Sequence, residues 1–291
     1  MRFGNVGYSK MKTLKSFLDF FLYSNLFISL CAAAMSAETF LLVHSKANWF
    51  YIVFSFFSTL VYYDLPSLFF AEETFSGSES TRLKWIYENQ KTLFIFLISG
   101  TVASAILLFF FPLKFIFGFI PIGLVALAYF FPQTGLRKIM GLKAGMISIV
   151  WTGVTAIYPV LINLNYDFES ILIGENKFII LQNFFFIFPL CVIFNVRDIE
   201  ADKKAGVKTF ASIYGVKKTI LICIFSLLIF STLVFYCLRF SLQAKILLVS
   251  AIISVILILN SSPKKNDYYY SFWIDGMILL QAILIFAAQY F

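Results

Sequence analysis

The stretch NVRDIEADKKAG, residues Asn195 to Gly206, sets Asp198, Glu200 and Asp202 among Arg197, Lys203 and Lys204 at the end of an almost uncharged apolar run. If the preceding helix continues through it, Asp198 and Asp202 lie about 40° apart, one turn above each other. Asn195 then falls on the same stripe, and Glu200 points nearly the opposite way. Like charges at this spacing repel, and a divalent cation would remove the repulsion. Mg²⁺ is typically held by one or two carboxylates, several waters and substrate phosphate oxygens, so the pair suits a Mg²⁺ that also carries a diphosphate. Arg197, Lys203, Lys204 and Lys208 could add charge complementarity. Gly206 is expected to stop the helix. The plainer alternative is a mixed-charge helix end at a membrane surface, its acids paired with lysines in solution, and spacing alone does not choose between the two.

A second carboxylate, Asp64, stands in YYDLPSLFFAEE. It lies so deep in an apolar run that an unpaired charge would be costly, and such residues usually face a cavity. That reading is preferred to one in which Asp64 reaches interfacial water. Asn25, Gln182 and Asn183 also lie within apolar runs, where hydrogen bonding between helices is the default. Asp275, near the start of the last run, is open between surface and cavity. The four cysteines sit in apolar runs without a CxxC and read as small helix residues, neither disulfides nor metal ligands. A single histidine, His44, leaves nothing for a His-based metal site or triad.

The elements that must carry these residues are membrane helices. The 291-residue chain is 60% hydrophobic and 13% charged, against about 25% charged in a soluble domain. Windows of about 20 apolar residues give nine spans, near Leu14–Leu42, Trp49–Phe70, Leu93–Phe111, Phe115–Phe131, Ala144–Leu164, Phe178–Phe194, Thr219–Leu238, Ala244–Leu259 and Tyr270–Tyr290. With the N-terminus inside, 18 of the 23 Lys and Arg fall on cytoplasmic segments, as the positive-inside rule requires. The net charge of +8 is thereby explained by loops, and no basic stripe points to nucleic acid. The first run is read as a retained helix rather than a cleaved signal. The longest hydrophilic segments, about 71–92 and 196–218, share the cytoplasmic face with 132–143. Residues 1–13 are expected to form a cytoplasmic tail and 14–291 a single transmembrane domain.

The run NVRDIEADKKAGVKTFASIYG resembles the second aspartate-rich motif of the UbiA-type intramembrane prenyltransferases, an Asp-x-x-x-Asp leading through basic residues and a Gly to Lys-Thr and a later Gly. These are Asp198, Asp202, Gly206, Lys208, Thr209 and Gly215. Asp275-Gly276 also agrees with that family's last helix. The resemblance implies an all-α polytopic membrane protein, a ring of nine helices around a central lipid-accessible cavity, with a cytoplasmic catalytic face. It implies Mg²⁺ bound by Asp198, Asp202 and Asp64, and an isoprenoid diphosphate held by Asn195, Arg197, Lys203 and Lys208. Loss of diphosphate would leave an allylic cation that alkylates a hydrophobic, electron-rich acceptor. The family's first motif, Asn-Asp-x-x-Asp-x-x-x-Asp, is met here by Tyr63, Asp64, Ser67 and Ala71, with Glu72 and Glu73 beyond, so one of its three carboxylates is kept. Its Tyr-x-x-x-Lys element is met by Tyr129 and Gln133, with Arg137 and Lys138 one turn later as substitutes.

Three functions stay in view. The first is Mg²⁺-dependent prenyl transfer in a plasma membrane of bacterial type. The second is a member of the same fold that binds isoprenoid or lipid without turnover, favoured by the reduced first motif. The third, a transporter, is disfavoured because the acids gather at one face and no Gly/Pro-broken helix pair recurs in two halves.

Overall fold

Apolar helices succeed one another along almost the whole chain. The structure, a computed structural model, describes residues 3–69, 80–130 and 139–290. Helices α1 (Phe3–Tyr23), α2 (Leu26–Leu42) and α3 (Trp49–Phe69) come first, then the short α4 (Thr81–Glu88), α5 (Gln90–Leu108) and α6 (Leu113–Phe130). The span α7 (Leu142–Asn163) leads to α8 (Asn176–Arg197), the short α9 (Ile199–Lys204), α10 (Phe210–Leu238), α11 (Leu242–Leu259) and α12 (Tyr269–Ala287). Among the described residues, seven helices are long and apolar enough to cross a membrane: α3, α5, α7, α8, α10, α11 and α12. The bent pair α1–α2 raises this to eight, and the apolar part of α6, Leu113–Ala128, is shorter.

The run expected as one span over Leu14–Leu42 is two helices that meet at 58°. The break sits at Asn25, whose φ of +62° is left-handed, a conformation that asparagine tolerates better than most residues. The bend matters for the site, because it turns the Asn25 side chain inward to donate to Asp64 Oδ1 at 2.8 Å.

Helix α3 packs on α2 and α5, α6 on α7, α8 on α7 and α10, and α11 on α10 and α12, while α12 returns to pack on α2. The tightest pair, α8 and α10, buries Phe186, Ile193, Cys223, Phe230 and Val234. Burying one such large apolar side chain is worth about 1.5–3 kcal/mol against water. Toward lipid that gain vanishes, so packing must select the inner face. Outward stripes are accordingly just as apolar: Ile95, Ile98, Val102 and Ile106 on α5, and Leu221, Phe225 and Leu228 on α10, are all exposed. Aromatic residues Phe40, Tyr51, Phe54, Phe111, Phe115 and Tyr158 form a second core cluster. All four cysteines are free.

Two π-turns interrupt the spans. In α7 the turn Gly153–Ile157 frees carbonyls that side chains recover: Tyr51 donates to the Val154 carbonyl and Thr39 Oγ1 to that of Thr155 at 2.6 Å. The second, Tyr269–Ile274, directly precedes Asp275. Such turns add a residue to one turn of helix and re-aim the side chains beyond it.

Candidate active site

The acidic pair forms at a helix break. Helix α8 ends at Arg197, Asp198 turns the backbone (φ −88°, ψ 6°), and α9 carries Asp202. The Asp202 N–H donates to the Asp198 carbonyl at 2.8 Å, so the one-turn spacing survives the break. Gly206 (φ +67°) ends α9 as expected. Val207 N–H reaches Asp202 O at 2.8 Å and Gly206 N–H reaches Lys203 O at 3.2 Å, the two bonds of a Schellman cap.

Two cations meet the pair. Arg197 donates from Nε to Asp198 Oδ1 at 2.7 Å and from Nη2 to Oδ2 at 3.3 Å, with its guanidinium 4.8 Å from the centre of the Phe194 ring. Lys143 Nζ lies 2.9 and 3.2 Å from the two Asp202 oxygens and 3.7 Å from Asp198 Oδ2. It comes from the second residue of α7, whose start is set by Gly141 in a left-handed conformation (φ +73°). Burial opposes ionisation of Asp198, but Arg197, Lys143 and Arg82 outweigh it and hold the carboxyl at about 2. At Asp202 burial prevails over Lys143 and the carboxyl lies above its ordinary value.

Above the pair opens a cavity of about 280 Å³. Its polar wall includes Asn25, Arg82, Lys143, Asn195, Arg197, Asp198, Ser271 and Asp275, and most of the remaining lining is apolar. A second, almost wholly apolar cavity of about 200 Å³ lies among Ile122, Ala126, Val150 and Val154. Both cavities are lined by Tyr62, Tyr63 and Trp151. Trp151 Nε1 donates to the Tyr63 hydroxyl at 3.0 Å, which fixes the partition between them.

The UbiA prenyltransferase family profile matches residues 87–273. The chain belongs to the UbiA prenyltransferase family. Solved structures share the fold at low identity. A UbiA homolog from Archaeoglobus fulgidus bound to DMAPP and Mg²⁺ aligns with a TM-score of 0.64 at 13% identity, over 92% of this chain and 98% of that one. The apo structure of a UbiA homolog from Aeropyrum pernix K1 gives 0.61 at 12% identity, over 91% and 96%. A digeranylgeranylglyceryl phosphate synthase gives 0.55 at 14%, over 95% and 98%. No curated protein matches the sequence.

Against the UbiA motifs the structure distributes the expected residues unevenly. Asn195, Arg197 and Asp198 line the polar cavity. Asp202 lies one step behind the wall, linked to it by Lys143. Asp64 is fully buried and also one step behind, reached through Asn25; its Oδ2 and the Nδ2 of Asn195 have no hydrogen-bond partner among the described residues. Lys203 is exposed and 3.8 Å from Glu200. Lys208 is exposed too, and neither lysine lines the cavity. Arg137, Lys138, Gln133, Ala71, Glu72 and Glu73 lie outside the described residues, as does the side chain of Tyr129. Gln182 donates to the Leu233 carbonyl at 3.2 Å, and Asn183 accepts from Thr155 at 3.1 Å, so both serve helix packing.

Sequence reasoning missed Arg82 and Lys143, which it counted only as positive-inside charges. Arg82 is aimed by its own helix end. Asp267 Oδ2 accepts from Ser80 Oγ at 3.0 Å and from the Arg82 N–H at 3.2 Å, which ties the start of α4 to the segment before α12. Asp275, open in the sequence, lines the cavity.

Among the described residues no three His, Cys, Asp or Glu side chains converge closely enough to hold a metal. The donor set is nevertheless of the right kind for Mg²⁺ carried on a diphosphate, which needs only one or two carboxylates from the protein. Asp198 and Asp202 are two carboxylates of that kind. The unpartnered Asn195 Nδ2 is a buried donor at the same wall.

Proposed function

We propose that the protein transfers an isoprenoid group from a prenyl diphosphate to an electron-rich hydrophobic acceptor inside the membrane. The observation that carries this is a pair of adjacent cavities. A charged chamber and an apolar one share the Tyr63–Trp151 partition as a common wall, which matches the polarity of a molecule with a diphosphate head and a hydrocarbon tail. The Archaeoglobus fulgidus homologs bound to DMAPP and to GPP with Mg²⁺ make the same ligand class the natural candidate here.

In this reading Arg82, Lys143 and Arg197 bind and orient the diphosphate, and Asn195 donates to one of its oxygens. Asp198 and Asp202 would hold Mg²⁺, which when bound stabilises negative charge on the leaving diphosphate. The allylic C–O bond breaks with both electrons leaving on that group. A bond then forms from an acceptor atom to the carbon, and the acceptor loses a proton. The fixed cations favour the charge that develops, and the apolar chamber keeps water from the carbocation. Asp64, one hydrogen bond behind Asn25, supports the wall.

The proposed topology is nine crossings, with α1–α2 as one bent span, α6 as a short one and the N-terminus cytoplasmic. Residues 14–291 form one domain in a plasma membrane of bacterial type. A second reading, binding without turnover, is favoured by the single carboxylate left in the first motif. Incubation of the purified chain with Mg²⁺ and prenyl diphosphates of several lengths separates the two. Release of pyrophosphate supports transfer, whereas saturable binding without release supports the second reading.

A further inference from the structure

The position between Asp198 and Asp202 is already taken by a cation of the protein itself. Lys143 Nζ touches both oxygens of Asp202, at 2.9 and 3.2 Å, and lies 3.7 Å from Asp198 Oδ2. The Lys143 side chain is 14% exposed and that of Asp202 8%, so solvent and salt screen this contact less than a surface pair. A Mg²⁺ would need the same oxygens at about 2.0–2.1 Å. A dipositive ion and an ammonium held this close repel strongly in a poorly solvated site. The lysine stem is flexible, and Lys143 borders the polar cavity, so the ammonium has somewhere to go. Arg197 differs, because its planar fork stays matched to Asp198 at 2.7 and 3.3 Å.

We propose that Lys143 is a tethered counter-ion. It fills the cation position of the acidic pair in the free protein, and it moves from carboxylate to phosphate oxygens when a divalent ion and a diphosphate bind together. This rests on the reading of the site as one for metal and diphosphate. Metal alone displaces Lys143 from the Asp202 oxygens at an electrostatic cost. Diphosphate bound with the metal offsets that cost, because its oxygens face the ammonium from the cavity that Lys143 borders. The two ligands therefore bind cooperatively, and each raises the affinity for the other by the same factor.

The test uses Mn²⁺ as probe, monitored by electron paramagnetic resonance on the full chain in detergent at fixed free Mn²⁺, with and without inorganic pyrophosphate. Pyrophosphate is expected to tighten Mn²⁺ binding to the unaltered protein about 10-fold or more, within the usual range for coupled sites. Lys143→Met and Lys143→Gln are expected to bind Mn²⁺ alone about 10-fold more tightly than the unaltered protein, with a smaller pyrophosphate effect. Asp202→Asn should weaken the signal and so tie it to this site. Lys143 variants that bind Mn²⁺ alone no more tightly than the parent overturn the proposal. Should both variants fail to fold, a Mn²⁺ affinity of the parent that ignores pyrophosphate overturns it equally. Turnover of prenyl diphosphates is a separate readout: its absence beside the expected Mn²⁺ behaviour counts against prenyl transfer and leaves the role of Lys143 standing.

Discussion

Replacing Arg82 by methionine should weaken substrate binding while leaving the fold intact or more stable. Arg82 is a half-buried guanidinium on the cavity wall. Burial, with Arg197 nearby, pushes its ionisation below the ordinary arginine value, and Asp267 and Asp198 pull the other way. The free protein therefore bears a desolvation and like-charge cost that Asp267 and Asp198 offset only in part, and an anion in the cavity would offset more of it. A hydrogen bond to a charged group is worth about 1.5–3 kcal/mol, which corresponds to a KM for prenyl diphosphate raised roughly 10- to 100-fold. Methionine keeps the apolar stem and removes the repulsion, so thermal unfolding, tracked by tryptophan fluorescence in detergent, should stay level or rise. Arg197→Met is the contrast. It strips Asp198 of its two contacts at 2.7 and 3.3 Å and should cost about 1.5–3 kcal/mol of stability. An unchanged KM in Arg82→Met, or a loss of stability matching that of Arg197→Met, would refute the assignment of Arg82 to the anion.

The same geometry sets three further outcomes. Asp267→Ala removes the acceptor that holds the start of α4; loss of such a cap costs about 0.5–2 kcal/mol, and steady-state kinetics should show a raised KM like that of Arg82→Met, now with lower stability. Asp198 sits at about 2, below an unfolded value near 3.9, so it contributes up to roughly 2.5 kcal/mol. That stability is fully present above about pH 4 and is lost as pH falls through about 2; unfolding measured against pH without metal should show the acid limb in the parent and its reduction in Asp198→Asn. Gly141→Ala would place a Cβ 2.8 Å from the Phe210 ring at φ +73°, costing about 1–2 kcal/mol for the left-handed backbone alone; the melting temperature should fall, and the lysine two residues on should shift.

The acidic pair was legible because its spacing and the glycine after it are local facts of the chain, and a helix break at Asp198 did not disturb them. The break at Asn25 was not read, since Ser24-Asn25 is a small polar interruption in a continuous apolar run. The length of that run, well beyond the about 20 residues a span needs, was the available signal. Arg82 and Lys143 were counted but not placed. At a cytoplasmic helix end, a base that faces headgroups and one turned into a cavity look alike in sequence, and only the cap on Asp267 and the start of α7 at Gly141 decide. Lys203 shows the reverse: beside the motif in sequence, it pairs with Glu200 in solvent. Sequence does not say which phenylalanines face a chamber, because lipid and core are both apolar; of the described ones, Phe119 lines the apolar chamber and Phe27 and Phe194 the polar one.

The most direct measurement is pyrophosphate released from a prenyl diphosphate by the purified chain in liposomes, with Mg²⁺ and with chelator, for the parent and for Asp198→Asn and Asp202→Asn. Prenyl transfer at this site predicts release that needs Mg²⁺ and falls by at least about 100-fold, the loss of about 2.7 kcal/mol or more of charge stabilisation, in each variant. Release that persists in both variants, or that ignores the chelator, would contradict it.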